Sequence, residues 1–330
     1  MTEMMRAVML REPGPVENLE LTELPVPEAE PGWVRIAVKA FGLNRSELHT
    51  RLGLAEGVTF PRVPGIEATG VVDDPSDSGL SVGQQVVAMM GGMGRTYDGG
   101  YAEYVVVPRG QVVPFSSVLP WETLGAVGET LQTANGSLTT GLDLRAGQSL
   151  LIRGGTSTVG LAAASIAKDL GATVLATTRQ PARAEDLKAH GVDHPVVDTG
   201  EIAAEVRRIV PDGVDAALEL VGTPTLPDTL AATRVHGTVC FTGMLSNQWI
   251  VPEFYPIGYL PSGVRLTAYS GDAVDLPTGV LQRWLDGVAA GTVSLGPVRV
   301  YPMDRIRDAH DALERNLGVG KDRGHDRLSR

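Results

Sequence analysis

The residues best suited to chemistry cluster around one glycine-rich turn. The apolar run Leu150-Leu151-Ile152-Arg153 enters Gly154-Gly155-Thr156-Ser157-Thr158-Val159-Gly160, and an alanine-rich stretch follows. A strand that runs into a tight turn and opens a helix aims backbone N–H groups at a pyrophosphate, with the helix dipole assisting. The candidate contacts are Gly155, Thr156, Ser157, Thr158, Val159 and Gly160. The spacing departs from G-x-G-x-x-G at Ser157, where the backbone must approach the phosphates closely. A small hydroxyl residue can fit there and donate a hydrogen bond. A glycine turn without a ligand is the competing reading.

The end of the next strand selects between nucleotides. A site for NAD places an acid there, bonded to the ribose 2′-hydroxyl. Here Thr173–Thr178 is followed by Arg179-Gln180-Pro181-Ala182-Arg183, and no acid occurs before Glu185. Thr178, Arg179 and Arg183 suit a 2′-phosphate, because a guanidinium pairs with phosphate through a fork of N–H groups. This favours NADPH over NADH. A solvated arginine at a helix start remains the alternative.

These segments need a scaffold, and the chain is long enough for two domains at 330 residues. Short apolar or alternating runs at Ala7–Leu10, Trp33–Ala40, Gly70–Val72, Gln85–Met89 and Tyr104–Pro108 are punctuated by Gly and Pro, and predict a partly open β-barrel. From Gln148 the texture changes to alternating strand and helix. Strands are predicted at Ser149–Arg153, Thr173–Thr178, Pro195–Val197, Asp215–Val221 and Thr238–Thr242. Helices are predicted at Val159–Leu170, Pro181–His190 and Glu201–Val210. That alternation predicts a parallel sheet covered on both faces. Further on, Leu276–Ala290 and Met303–Asn316 read as helices and Pro297–Tyr301 as a strand.

The formal net charge is −11. A surface this acidic repels nucleic acid and anionic membranes, so neither is an expected partner. Cys240 is the only cysteine and cannot form an internal disulfide. No signal-peptide pattern and no long apolar span is evident, so the expected location is cytoplasmic.

Several ordered motifs carry a family resemblance. They are Ala40-Phe41-Gly42-Leu43-Asn44-Arg45-Ser46-Glu47, Pro64-Gly65-Ile66-Glu67-Ala68-Thr69-Gly70, Val82-Gly83-Gln84-Gln85-Val86-Val87 and Gly99-Gly100-Tyr101-Ala102-Glu103-Tyr104. The glycine turn and Leu218-Glu219-Leu220-Val221-Gly222 follow in order. The chain resembles the medium-chain dehydrogenase/reductase superfamily, and within it the zinc-independent quinone oxidoreductase and enoyl reductase branch. The resemblance implies an α/β protein with a GroES-like catalytic domain over 1–117, completed by 298–330. A doubly wound Rossmann domain is expected over 118–297. It also implies a homodimer or tetramer paired through the nucleotide domain, with a homodimer expected here. The run Arg265–Ser270 is either the edge strand used for pairing or an internal strand.

In zinc-dependent relatives the first zinc cysteine would fall at Asn44 and the histidine at Ile66. Neither residue is a competent ligand, and no metal is expected. The resemblance places Asn44 in the substrate pocket, bonded to a carbonyl or to the nicotinamide ribose, unless it only stabilises a turn. His49 stands where the branch often has a tyrosine. It can protonate an enolate near neutral pH, shape the pocket, or face solvent. Thr130 is a candidate cofactor contact, or a helix cap or buried hydroxyl. Gly243 and Met244 are expected to border the nicotinamide, and Glu67 to support the site from behind. The stretch after Gly320-Lys321 is too polar for a buried strand. Asn316 and Lys321 are placed within reach of the cofactor, and the last few residues are expected to be mobile.

The activity implied is zinc-free hydride transfer from NADPH to a small electrophile, either a quinone or the β-carbon of an α,β-unsaturated carbonyl. An enoyl-thioester reductase is the first alternative, with Arg45, Arg51 and Arg62 as the cations available for a nucleotide tail. A non-catalytic NADPH sensor is the second.

Overall fold

The computed structural model describes residues 2–296, 298–315 and 321–325, the last stretch by its main chain. It divides into two compact units. One comprises Met1–Thr130, Asp272–Thr292 and Gly296–Arg330, and the other Leu131–Gly271 with Val293–Leu295.

The first unit is built on a curled sheet. Its strand order is Val298–Pro302, Lys321–His325, Trp33–Leu43, Glu67–Asp74, Gln85–Met89 and Val112–Pro114, and Tyr104–Pro108 also pairs with Trp33–Leu43. All pairings are antiparallel except that of Val298–Pro302 with Lys321–His325. The hairpin Met4–Leu10/Leu19–Pro25 lies outside this sheet. The long central strand shows why the chain folds this way. Val34, Ile36, Val38 and Ala40 are buried and the residues between them less so, the two-residue period of a strand with one face in a core. That core includes Val8, Leu10, Ala68, Val86, Tyr101 and Val107.

The stretch after Gly320-Lys321 reads as too polar for a buried strand; by its main chain, Lys321–His325 nevertheless forms a strand, parallel to Val298–Pro302 and, over Asp322–His325, antiparallel to Leu43–Ala40. Polarity speaks to where side chains can go, whereas pairing is made by the main chain, whose donors and acceptors are the same for every residue but proline. Asn316 and residues 326–330 lie outside the described residues.

The second unit is a six-stranded, wholly parallel sheet. Its order is His194–Val197, Thr173–Thr178, Ser149–Arg153, Val214–Glu219, Thr233–Phe241 and Arg265–Ala268. Numbered along the chain, this is 3-2-1-4-5-6, the doubly wound order of dinucleotide-binding sheets. The strand Ser149–Arg153 is buried along its whole length, as a central parallel strand covered on both faces must be. The helix Thr158–Leu170 buries Gly160, Leu161, Ala162, Ala163, Ala164 and Ala167. Gly171 ends it in the left-handed conformation at φ 89°, which glycine adopts without a Cβ penalty. The segment predicted as one helix over Pro181–His190 is a 3-10 turn, Pro181–Arg183, followed by the helix Ala184–Ala189. Arg265–Ala268 is an edge strand, which settles its place in the sheet.

Candidate active site

In the parallel unit the chain reverses direction across the sheet between Ser149–Arg153 and Val214–Glu219. Ligands of doubly wound sheets bind beyond the carboxyl ends of the strands at such a switch point. The glycine turn lies there. Gly154 has φ +87° and its N–H donates to Thr177 Oγ1 at 2.9 Å. A Cβ on Gly155 would sit 2.7 Å from the Ala176 Cβ, and one on Gly160 2.7 Å from the Gly154 and Gly155 carbonyl oxygens. Both glycines are therefore fixed by close packing of turn, strand and helix. Ser157 is the N-cap of the helix. Its Oγ accepts from Gly160 N at 3.1 Å and donates to the Gly154 carbonyl at 2.8 Å. The hydroxyl is thus committed to building the turn, an N-cap role worth about 1 kcal/mol. Thr158 and Val159 occupy the helix's first two positions, where N–H groups lack intrahelical partners.

The next strand ends as expected but uses its residues differently. Thr178 is buried, and its hydroxyl bridges Gln180 N and O at 3.1 Å each. Arg183 pairs with Asp186 at 3.1 Å and donates to the Thr156 carbonyl at 3.4 Å, which brings it against the glycine turn. Arg179 is exposed, and no described residue forms a hydrogen bond or ion pair with its side chain. Gly243, two residues beyond the strand Thr233–Phe241, lies against Leu220, where a Cβ would come within 2.5 Å of the Leu220 backbone. Met244 follows it in a turn closed by Asn247 N donating to Met244 O at 2.9 Å.

Sequence reasoning missed the charges beneath this surface. Arg153 is fully buried and pairs with Asp198 at 2.6 Å and Asp228 at 2.7 Å. Burial pulls its pKa down, but the two carboxylates outweigh this and hold it above the ordinary value. Glu219, also fully buried, accepts from Val221 N, Gly222 N, Thr225 Oγ1 and Thr229 Oγ1. Burial raises its pKa, against the pull of these donors. An arginine closing an apolar strand was the available signal for the first network; its partners lie 45 and 75 residues away.

In the first unit the helix Arg45–Arg51 starts at Asn44, which is its N-cap. Asn44 Nδ2 donates to Glu67 Oε1 at 3.0 Å and to Glu47 Oε1 at 3.4 Å. Asn44 N donates to Glu47 Oε2 at 2.9 Å, and Ile66 N to Glu47 Oε1 at 2.9 Å. Glu129 N donates to Glu67 Oε2 at 3.0 Å. Both carboxyl groups are buried. Desolvation, then the nearby charges of Glu67 and Glu129, push Glu47 up to about 7 despite the lowering effect of its backbone hydrogen bonds. Glu67 is thus bonded directly to Asn44. His49 is buried in the same helix, which removes the solvent-facing reading. Thr130 is buried in the helix Gly128–Gly136, within which the two units divide.

Zinc does not fit this arrangement. Ile66 has no donor atom, and the Asn44 amide N–H groups are given to two carboxylates. Cys240 is buried inside a strand of the other unit. Among the described residues no group of three or more His, Cys, Asp or Glu side chains could hold a metal. Nor is any described helix long and apolar enough to cross a membrane.

The comparisons with known proteins agree with this geometry. Residues 30–117 match the alcohol dehydrogenase GroES-like domain, and residues 158–264 the zinc-binding dehydrogenase family. The chain belongs to the medium-chain dehydrogenase/reductase superfamily. Human quinone oxidoreductase is 26% identical over 330 residues, covering 96% of each chain. An NAD-dependent alcohol dehydrogenase structure is 28% identical with a TM-score of 0.84, over 97% of this chain and 99% of its own. A mycobacterial protein solved in complex with NADPH is 25% identical with a TM-score of 0.81, again over 97% and 99%. The protein is thus an oxidoreductase of this type, with a nucleotide-binding fold. The two structures carry different nucleotides in their names, so relatedness alone does not choose between NAD and NADPH.

Proposed function

We infer that the protein transfers hydride from NADPH to a small electrophile, a quinone or the β-carbon of an α,β-unsaturated carbonyl, without zinc. The observation that carries this reading is the occupancy of the zinc-ligand positions by Asn44, locked to Glu47 and Glu67, and by Ile66. Alcohol oxidation in this fold relies on a metal to acidify the alcohol. Reduction of an already polarised double bond needs only a hydride source, a carbonyl partner and a proton.

When bound, NADPH supplies the hydride. The turn Gly155–Gly160 would hold its pyrophosphate through backbone N–H groups, and Arg179 its 2′-phosphate. Arg179 supports this choice because it lies at the right strand end and carries an uncommitted guanidinium. Thr130, Gly243 and Met244 would contact the nicotinamide side. Asn44 keeps its 3.0 Å bond to Glu67 and would give its other amide N–H, held by Glu47 only at 3.4 Å, to the acceptor carbonyl. His49, or water, returns the proton. The first unit serves as the catalytic domain and the second as the nucleotide domain. The edge strand Arg265–Ala268 supports a homodimer, because an unpaired edge presents free backbone donors and acceptors.

A thioester with a nucleotide tail is less well served. Arg51 is buried and paired with Glu314, and Arg62 is paired with Asp98 at 2.8 Å, so two of the three cations considered for it are already neutralised. The test follows NADPH and NADH absorbance with a simple quinone and a simple enone, in buffer containing a chelator. NADPH oxidation at undiminished rate supports the reading. A requirement for added zinc overturns it.

A further inference from the structure

Resting on that reading of the site, we propose that Arg95 is a specificity-determining residue that pairs with a carboxylate on the substrate, so that the preferred electrophile is an unsaturated carbonyl acid. Arg95 lies in the turn Gly92–Tyr97. Its N–H donates to the Gly92 carbonyl at 3.0 Å, Gly94 N donates to the Tyr97 carbonyl at 2.9 Å, and Thr59 N donates to the Arg95 carbonyl at 3.3 Å. A Cβ on Gly94 would sit 2.7 Å from the Gly65 carbonyl oxygen, so the turn lies directly on Gly65. The following residue, Ile66, is bonded to Glu47. The turn and the helix that Asn44 caps are thereby held in register within one unit.

From this turn the guanidinium reaches that helix. Arg95 Nη2 donates to Ser46 Oγ at 2.5 Å, two residues beyond Asn44. Arg95 is half-buried, and its Nε is buried with no hydrogen-bond partner. Arg6, Arg35, Arg51 and Arg62 of the same unit each pair with a carboxylate. Arg95 has no such partner among the described residues, although Glu47 and Glu67 belong to the neighbouring network. A guanidinium partly withdrawn from water without a counter-charge is costly. One hydroxyl satisfies one of its five N–H donors. The remaining fork matches a carboxylate in shape and charge, and a substrate whose carbonyl is oriented by Asn44 would bring one.

The probe is 4-oxopent-2-enoate, compared with its methyl ester. Hydride from NADPH adds to the carbon β to the ketone, and a proton adds to the α-carbon. The products are 4-oxopentanoate and NADP⁺. The wild type is expected to favour the acid over the ester by about tenfold or more in kcat/KM, the size of one charge-assisted hydrogen bond. Arg95→Gln should bring the ratio to about one, and Arg95→Lys should restore part of it. A purely structural role would lower acid and ester together. Binding of unreactive 4-oxopentanoate to the NADP⁺ complex, measured by calorimetry, should weaken about tenfold in Arg95→Gln. Equal wild-type preference for acid and ester, or a preference that survives Arg95→Gln, overturns the proposal. Turnover of neither compound would count against hydride transfer, while the calorimetric comparison would still decide the role of Arg95.

Discussion

Asn44 and Glu67, 23 residues apart, are joined by a buried amide–carboxylate hydrogen bond of 3.0 Å. The bond ties the helix N-cap to a sheet strand, at the position where the family resemblance puts a zinc ligand. It gives Asn44 one orientation and gives Glu67 one of its donors.

Removing the amide leaves Glu67 Oε1 without that donor in a dry site. Asn44→Ala is expected to cost about 1–3 kcal/mol of stability and to lower kcat/KM for an enone, read by urea denaturation and initial rates. Glu67→Gln should orient Asn44 less well and depress kcat/KM in the same direction. Unchanged stability and unchanged rates in both variants would remove Asn44 from the site.

Glu47 is expected to make folding pH-dependent, because burial raises its pKa. An acid whose folded pKa lies above its unfolded value holds its proton more tightly when folded. Its contribution is complete below the ordinary value of 4.5 and is lost as pH rises through about 7. The full effect is on the order of 3 kcal/mol. Wild-type stability should therefore fall between pH 4.5 and 7.5 more steeply than that of Glu47→Gln, measured by denaturant titration across this window. Parallel pH profiles for the two proteins would show that Glu47 does not titrate there.

The fold was legible where side-chain periodicity decides it. The alternation over Trp33–Ala40, the strand–turn–helix at Ser149–Leu170 and the β-α rhythm beyond it all appear in the structure near their expected bounds. Two kinds of feature were hidden. Lys321–His325 joins its sheet through the main chain, which leaves no mark in residue type. The partners of Arg51, Arg153 and Asn44 lie far along the chain, and one sequence does not pair distant charges. In the site, residue type pointed to Ser157 but not to its task, because a hydroxyl that caps a helix and one that binds phosphate look alike before the turn is built.

Under the proposed function Arg179 pairs with the 2′-phosphate, so its removal should separate the two nucleotides. Arg179→Ala should raise KM for NADPH about tenfold to a hundredfold, the loss of a charge-assisted phosphate contact, and leave KM for NADH nearly unchanged. Steady-state kinetics with both cofactors checks this. An equal loss for both would place Arg179 elsewhere than at the 2′-phosphate.

The central claim, hydride delivery without a metal, is tested most directly by isotope transfer. NADPH deuterated at C4, prepared in each stereochemical form, would be incubated with the enzyme, a chelator and an enone, and the product analysed by mass spectrometry and NMR. One deuterium at the β-carbon, from one of the two forms only, is the predicted result. No transfer from either form in chelator, with transfer restored by zinc, would contradict it.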